Sequence, residues 1–224
     1  MTNIQGIIFD YGEVLNAPVD REKDMARRAK VAERLGVKPE ELWTYLFDRE
    51  MSKAWMTGKL NWDEFWGQIL APHGIIDPDK VHTYSRYILP ETKRLNPEMV
   101  SLVGKLKHRF VLAVVSNASW TEKQMQKMFY NDFELPSDTF DVIVTSTSAG
   151  VVKPDLDIFR HVLERMGVKA EEAVFTDDMP QFTAAAASLG IHSHTFTTPA
   201  DFRKYLVTLG INTGEQTVGD TSNN

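Results

Sequence analysis

Four short apolar runs, rich in branched residues, and one mixed run alternate along this 224-residue chain with stretches of helical spacing. The runs lie at residues 4–9, 110–115, 140–144, 173–176 and 191–196. In the first four the apolar residues are mostly consecutive, which marks strands buried on both faces. Helical periodicity covers residues 97–108, 121–129, 155–166, 181–189 and 199–209, and Gly167 and Gly190 stop the third and fourth of these. Strands alternating with helices of this length predict an α/β fold, a doubly wound parallel (Rossmann-like) sheet.

The alternation is interrupted once. Between the first and second runs, tryptophans and charged residues recur at helical spacing and strand-like runs are missing. Residues 18–35 suit a helix ended by Gly36. Residues 39–48 suit a second, with Pro39 at its start and Glu40 and Glu41 in its first turn. Asn61, with Glu64 three residues later, opens a third, and residues 77–87 form a fourth. The chain therefore divides into a core of residues 1–16 plus 93–213 and an inserted all-helical domain of residues 17–92. A polar, disordered tail is expected over 214–224. Trp43, Trp55, Trp62 and Trp66 fall in the insertion and read as its own small core, with one or two available to a cleft or to a dimer face. His73 reads as a surface-loop residue.

Composition narrows the classes. A formal net charge of -6 gives no sign of a nucleic-acid or anionic-membrane binder. The absence of cysteine removes disulfides, a thiol nucleophile and cysteine metal sites. The N-terminus enters the first apolar run directly, without the basic and long apolar regions of a secretory signal. No run approaches the roughly 18 apolar residues of a membrane span. These features lead to the expectation of a soluble, cytoplasmic monomer or homodimer.

Polar residues stand at or beyond the tips of the predicted strands: Asp10, Ser116-Asn117, Lys153 and Asp177-Asp178. Singly, each has an ordinary reading as a turn cap, an N-cap pair, a solvated lysine or a capped loop. In a parallel sheet the tips share one edge, so all four places converge where such folds bind ligands. Three carboxylates there repel one another unless a divalent cation sits among them. Mg²⁺ suits a few carboxylate oxygens completed by water and a substrate phosphate. That phosphate needs donors on its far side, which a serine hydroxyl, backbone N–H groups and a lysine supply. An oxygen of Asp10 is then placed to attack phosphorus and form an aspartyl-phosphate.

The stretches Ile-Ile-Phe-Asp10-Tyr-Gly-Glu-Val-Leu, Val-Val-Ser116-Asn117-Ala, Gly-Val-Val-Lys153-Pro-Asp and Ala-Val-Phe-Thr-Asp177-Asp178 resemble, in order and spacing, the haloacid dehalogenase superfamily of phosphohydrolases. The helical insertion resembles the superfamily's helical cap. The resemblance implies Asp10 as nucleophile and Mg²⁺ ligand, with the Gly12 carbonyl and Asp177 as further ligands and Asp178 at the metal directly or through water. It implies Ser116, Asn117 and Lys153 as the phosphoryl-binding set, Lys153 also neutralising the nucleophile. The implied activity is hydrolysis of a small phosphorylated metabolite, sugar phosphates included.

Two positions depart from the commonest pattern. Most phosphatase members carry a second aspartate two residues after the nucleophile, which protonates the leaving group. Here that residue is Gly12. General acid–base help is typically worth about 10²–10⁴-fold. The YihX-like sugar phosphatases also resemble this chain here and in Gly58-Lys59-Leu60…Asp63-Glu64-Phe65. Phe182 stands where close relatives often have asparagine. Glu13 is a substitute acid or, the preferred reading, a loop carboxylate turned away from phosphorus. A leaving group of low pKa would need less protonation. Two alternatives remain: a phosphoryl-binding protein of weak turnover, and a metal-independent 2-haloacid dehalogenase, to which paired carboxylates at Asp177-Asp178 would be useless.

Overall fold

The computed structural model describes residues 3–38, 49–88 and 94–214. The helix expected at 39–48 with Trp43, the division at 92/93 and the tail beyond Gly214 lie outside the described residues.

Five parallel strands, β1 (Gly6–Phe9), β2 (Val111–Ser116), β3 (Val142–Thr145), β4 (Ala173–Asp177) and β5 (His192–Thr195), form one sheet in the order β3-β2-β1-β4-β5. The chain winds outward from β1 to β3, then crosses back to β4 and β5. A crevice opens at such a reversal, at the C-terminal ends of the strands. Register determines what meets there. Phe9 lies opposite Thr176 on one side and Val114 on the other. The next residue, Asp10, therefore stands beside Asp177 and one step short of Ser116. Its N–H donates to the Thr176 carbonyl at 2.9 Å.

Side chains alternate across the pleat, so the strands feed two cores. Ile7, Phe9, Leu112 and Val114 pack with Met99, Leu102 and Leu106 of α5 (Pro97–Leu106) and with Phe202 and Leu206 of α10 (Pro199–Thr208). Ile8, Ala113 and Val115 pack with Phe159 and Val162 of α8 (Leu156–Met166) and Ala186 of α9 (Pro180–Ser188). Gly6 permits this closeness: a Cβ there would come within 2.6 Å of the Met166 methyl. Between β2 and α8 lie the short α6 (Glu122–Lys127) and α7 (Ser146–Ala149). The helix expected over 121–129 stops regularly at Lys127 and widens over Met128–Asp132.

The described part of the insertion holds α1 (Arg21–Leu35), α2 (Arg49–Met56), α3 (Trp62–Leu70) and α4 (Pro78–Ile88). The Asp20 side chain accepts from Lys23 N–H, so α1 starts later than position 18, and a left-handed Gly36 ends it. Asn61 and Glu64 form the expected reciprocal cap of α3. Val31, Leu35, Trp55, Phe65, Trp66, Ile69 and Leu70 make a third apolar cluster that shares no residue with the other two. Trp55 stacks on Phe65 with ring centroids 4.3 Å apart. The outgoing and returning chains run side by side, with an antiparallel bridge at Asn16 and Leu95 and Ala17 N–H donating to the Arg94 carbonyl.

A second contact ties insertion to sheet. The Met56 carbonyl accepts from the Ser146 hydroxyl at 2.6 Å and the Thr147 hydroxyl at 3.2 Å. Among the described residues, no helix is long and apolar enough to cross a membrane.

Trp66 is fully buried in the third cluster. Trp66→Ala is expected to lower unfolding free energy by about 3–5 kcal/mol, the range for emptying an aromatic core position. Denaturant titration checks this, and a loss below about 1 kcal/mol would refute the packing described.

Candidate active site

The centre of the site is one ammonium between two carboxylates. Lys153 Nζ donates to Asp10 Oδ1 at 2.6 Å, to Asp177 Oδ2 at 2.5 Å and to the Val115 carbonyl at 3.1 Å. All three side chains are buried, Lys153 at 3% exposure. Burial alone would strip the lysine of its proton, but the attraction of Asp10 and Asp177 prevails and holds its pKa above the ordinary value. Burial pushes the Asp10 carboxyl up to about 7, against the pull of Lys153 and with the help of the Asp177 charge. Asp178 is raised as well, by burial and by Asp177.

One oxygen from each of Asp10, Asp177 and Asp178 lies within 4.8 Å of the others. One ammonium does not balance three carboxylates, and the Asp177 charge adds to burial in raising Asp10 and Asp178. An oxygen-rich, negatively biased cluster of this kind fits a hard divalent cation.

Neighbouring groups hold the lysine. The Asn117 amide donates to the Lys153 carbonyl at 3.0 Å and accepts from the Lys153 N–H at 2.8 Å. Asn117 is expected among the phosphoryl-binding residues, where its backbone N–H would serve; its side chain is committed to placing Lys153. The rings of Phe175 and Phe182 lie 5.6 and 5.2 Å from Nζ, on a scale where cation–π attraction operates. This gives Phe182, in place of asparagine, a local role against the lysine. Ser116 is buried at the end of β2 and lines the cavity. The Ala118 N–H donates to Ser146 Oγ at 3.0 Å, so it serves the loop rather than a ligand.

After Asp10 the chain makes a wide turn, closed by Asn16 N–H on the Tyr11 carbonyl at 2.9 Å. Glu13 takes a left-handed backbone, φ 55°. Its carboxylate accepts from Val19 N–H at 3.4 Å and does not line the cavity of Asp10. Gly12 does, and a Cβ there would press to 3.3 Å from Asp10 Oδ2. Tyr11 packs edge-on against Trp120 and Phe129.

All seven residues singled out in the sequence line one cavity of about 370 Å³. Its remaining wall includes Trp55, Met56, Trp62, Trp120 and Phe182. Trp66 belongs to the insertion's core alone, whereas Trp55 and Trp62 serve both. Trp120, Asn16 and Ser119 were not anticipated. The only sequence signal for Trp120 and Ser119 was their place in the loop after Ser116.

The chain has known relatives in sequence and in fold. A family model described as haloacid dehalogenase-like hydrolase matches residues 4–190. A sesquiterpene phosphatase, AstK, of Aspergillus oryzae is 27% identical over 197 residues, covering 85% of this chain and 88% of its own. A glyceraldehyde 3-phosphate phosphatase of Methanocaldococcus jannaschii is 28% identical over 182 residues, covering 78% of this chain and 76% of its own. Another curated relative is 46% identical but matched over 61 residues only, and the chain spans 6% of its length. Among solved structures, a family enzyme of Bacteroides thetaiotaomicron in complex with magnesium and inorganic phosphate superposes with a TM-score of 0.66 at 22% identity. That match covers 87% of this chain and 94% of the other.

Removing the lysine leaves two buried carboxylates without their cation. Lys153→Met is expected to cost about 3–5 kcal/mol of unfolding free energy in metal-free buffer. Denaturant titration in the presence of a chelator measures it, and an unchanged midpoint would contradict the pairing.

Proposed function

Because the chain belongs to the haloacid dehalogenase-like hydrolases, we propose that it is a Mg²⁺-dependent phosphatase that cleaves a small phosphorylated metabolite through an aspartyl-phosphate on Asp10. The observation that carries this reading is the Asp10–Lys153–Asp177 triad with Asp178 beside it, on the floor of a cavity.

Each group has a chemical task. Lys153 holds Asp10 Oδ1, which orients the carboxylate and leaves Oδ2, on the Gly12 side, to attack phosphorus. The P–O bond to the leaving alcohol breaks as the aspartyl–phosphorus bond forms, and water then hydrolyses the acyl phosphate. Ser116 and Lys153 face the phosphoryl oxygens with a hydroxyl and a positive charge. Asn117 keeps Lys153 in place. Asp10, Asp177, Asp178 and the Gly12 carbonyl would hold Mg²⁺, which when bound supplies charge neutralisation to the phosphoryl group. Paired carboxylates at Asp177-Asp178 have no use in metal-free displacement of halide, which disfavours the dehalogenase reading.

Gly12 favours a second reading, that of a phosphoryl-binding protein with weak turnover. With Glu13 drawn toward Val19, no carboxylate beyond the three lines the cavity among the described residues. Leaving groups that need little protonation suit such a site. The relatives named above carry unlike substrates in their names, a sesquiterpene and a triose, so kinship does not decide the alcohol.

Phosphate release from a panel of phosphorylated metabolites tests both readings. With Mg²⁺, turnover is expected for at least one compound, falling by about 10³-fold or more in Asp10→Asn and to background with a chelator. Turnover no higher than Asp10→Asn on every compound would sink the enzyme reading. Gly12→Ala is expected to lower kcat by about two- to threefold, because the added methyl asks Oδ2 to give by a small fraction of an ångström. A kcat equal to the parent's would show that residue 12 exerts no steric control.

A further inference from the structure

We infer that the alcohol half of the substrate is compact and apolar, an aromatic or branched hydrocarbon rather than a sugar. This rests on the phosphatase reading for where the phosphoryl group sits. The cavity has two unlike ends. Among the described residues, every charged residue that lines it, Asp10, Lys153, Asp177 and Asp178, belongs to the phosphoryl end. The rest of the wall is dominated by Trp55, Met56, Trp62, Trp120 and Phe182.

The polar side chains near that wall are largely committed. Tyr11 turns its hydroxyl to the Met128 sulfur at 3.6 Å. Asn16 Oδ1 accepts from Glu13 N–H at 2.6 Å. The Asn117 amide is bonded to the backbone of Lys153. Ser119, the Asn16 amide N–H groups and the indole N–H groups of Trp55, Trp62 and Trp120 remain; that of Trp62 is buried and has no hydrogen-bond partner among the described residues. A hexose or triose brings several hydroxyls, each needing a partner once water is expelled. Apart from Ser119 these offer N–H donors alone, whereas each sugar hydroxyl needs an acceptor as well. A ring or branched chain needs only contact, which indole and phenyl faces provide.

The apolar wall is also held in place. Trp55 and Met56 end α2, and the Met56 carbonyl is anchored by the Ser146 and Thr147 hydroxyls. Ser146 in turn accepts from Ala118 N–H, in the loop that carries Trp120. One hydrogen-bonded node thus sets both sides of the pocket at once. About 370 Å³ lies near the lower limit of ligand pockets and must hold the phosphoryl group too, so the apolar half is small.

The test compares kcat/KM, with Mg²⁺, for ethyl, isopentenyl and benzyl phosphate against glycerol 3-phosphate and glucose 6-phosphate. All are esters of primary alcohols, which limits differences in leaving-group acidity. Benzyl or isopentenyl phosphate is expected to exceed ethyl phosphate and both polyol phosphates by about tenfold or more. Trp62→Ala is expected to bring the benzyl-to-glucose ratio toward one, and Trp120→Leu, outside the insertion's core, to do the same if Trp62→Ala fails to fold. A polyol phosphate turned over as well as benzyl phosphate, or a ratio unmoved by both variants, would overturn the inference while leaving a phosphatase. Calorimetry with benzylphosphonate and ethylphosphonate in Mg²⁺ is independent of turnover. Tighter binding of the benzyl compound supports the apolar pocket even if no ester is hydrolysed, and equal binding overturns it.

Discussion

A single lysine ammonium held between two buried carboxylates is the constraint on which this structure turns. Lys153 lies 143 residues from Asp10 and 24 from Asp177, yet bonds both within 2.6 Å. Only a parallel sheet with β1 between β2 and β4, in the observed register, brings the two carboxylates together under one side chain. As a device for stability this is a poor choice, since apolar residues of like volume usually serve as well or better than a buried ion pair. As preorganisation it makes sense. Charges already desolvated and aimed cost no rearrangement when a phosphoryl group arrives.

The surroundings serve the same end. Asn117 grips the Lys153 backbone from both sides of one amide, while Phe175 and Phe182 flank the ammonium. Gly12 leaves room for Asp10 Oδ2 where a side chain would crowd it. Above this polar floor, the insertion lowers Trp55 and Met56 onto a node of hydroxyls at Ser146 and Thr147. The polar and apolar halves of the cavity are thus built by different parts of the chain. The sheet edge supplies the chemistry, and the insertion together with the loop after β2 shapes what is bound.

Much of this was legible in the sequence, for reasons of period. Buried parallel strands show as unbroken apolar runs, and a charge at the end of one stands out, so Asp10, Ser116 and Asp177 could be read directly. Helix caps were equally readable at Asn61 and Gly36, whose preferences are local. The short α2 and α7 were not foreseen, because so few residues leave little periodicity to detect, even where Thr145 and Gly150 cap α7. The tie between the Asn117 side chain and Lys153 was not legible, because the partner lies 36 residues away and only tertiary structure reveals that pairing. Trp120 and Phe182 went unassigned for a similar reason: an aromatic residue carries no mark of whether it faces a core or a cleft. Trp55 and Trp62 show that one ring can do both.

The central claim is that Asp10 becomes covalently bonded to phosphorus. Acid quench during turnover, followed by borohydride reduction, tests it directly, because an acyl phosphate is reduced where a free carboxylate is not. The account predicts homoserine in place of Asp10 in the recovered peptide, seen by mass spectrometry only when substrate and Mg²⁺ are both present. Intact Asp10 throughout, while phosphate continues to be released, would contradict it.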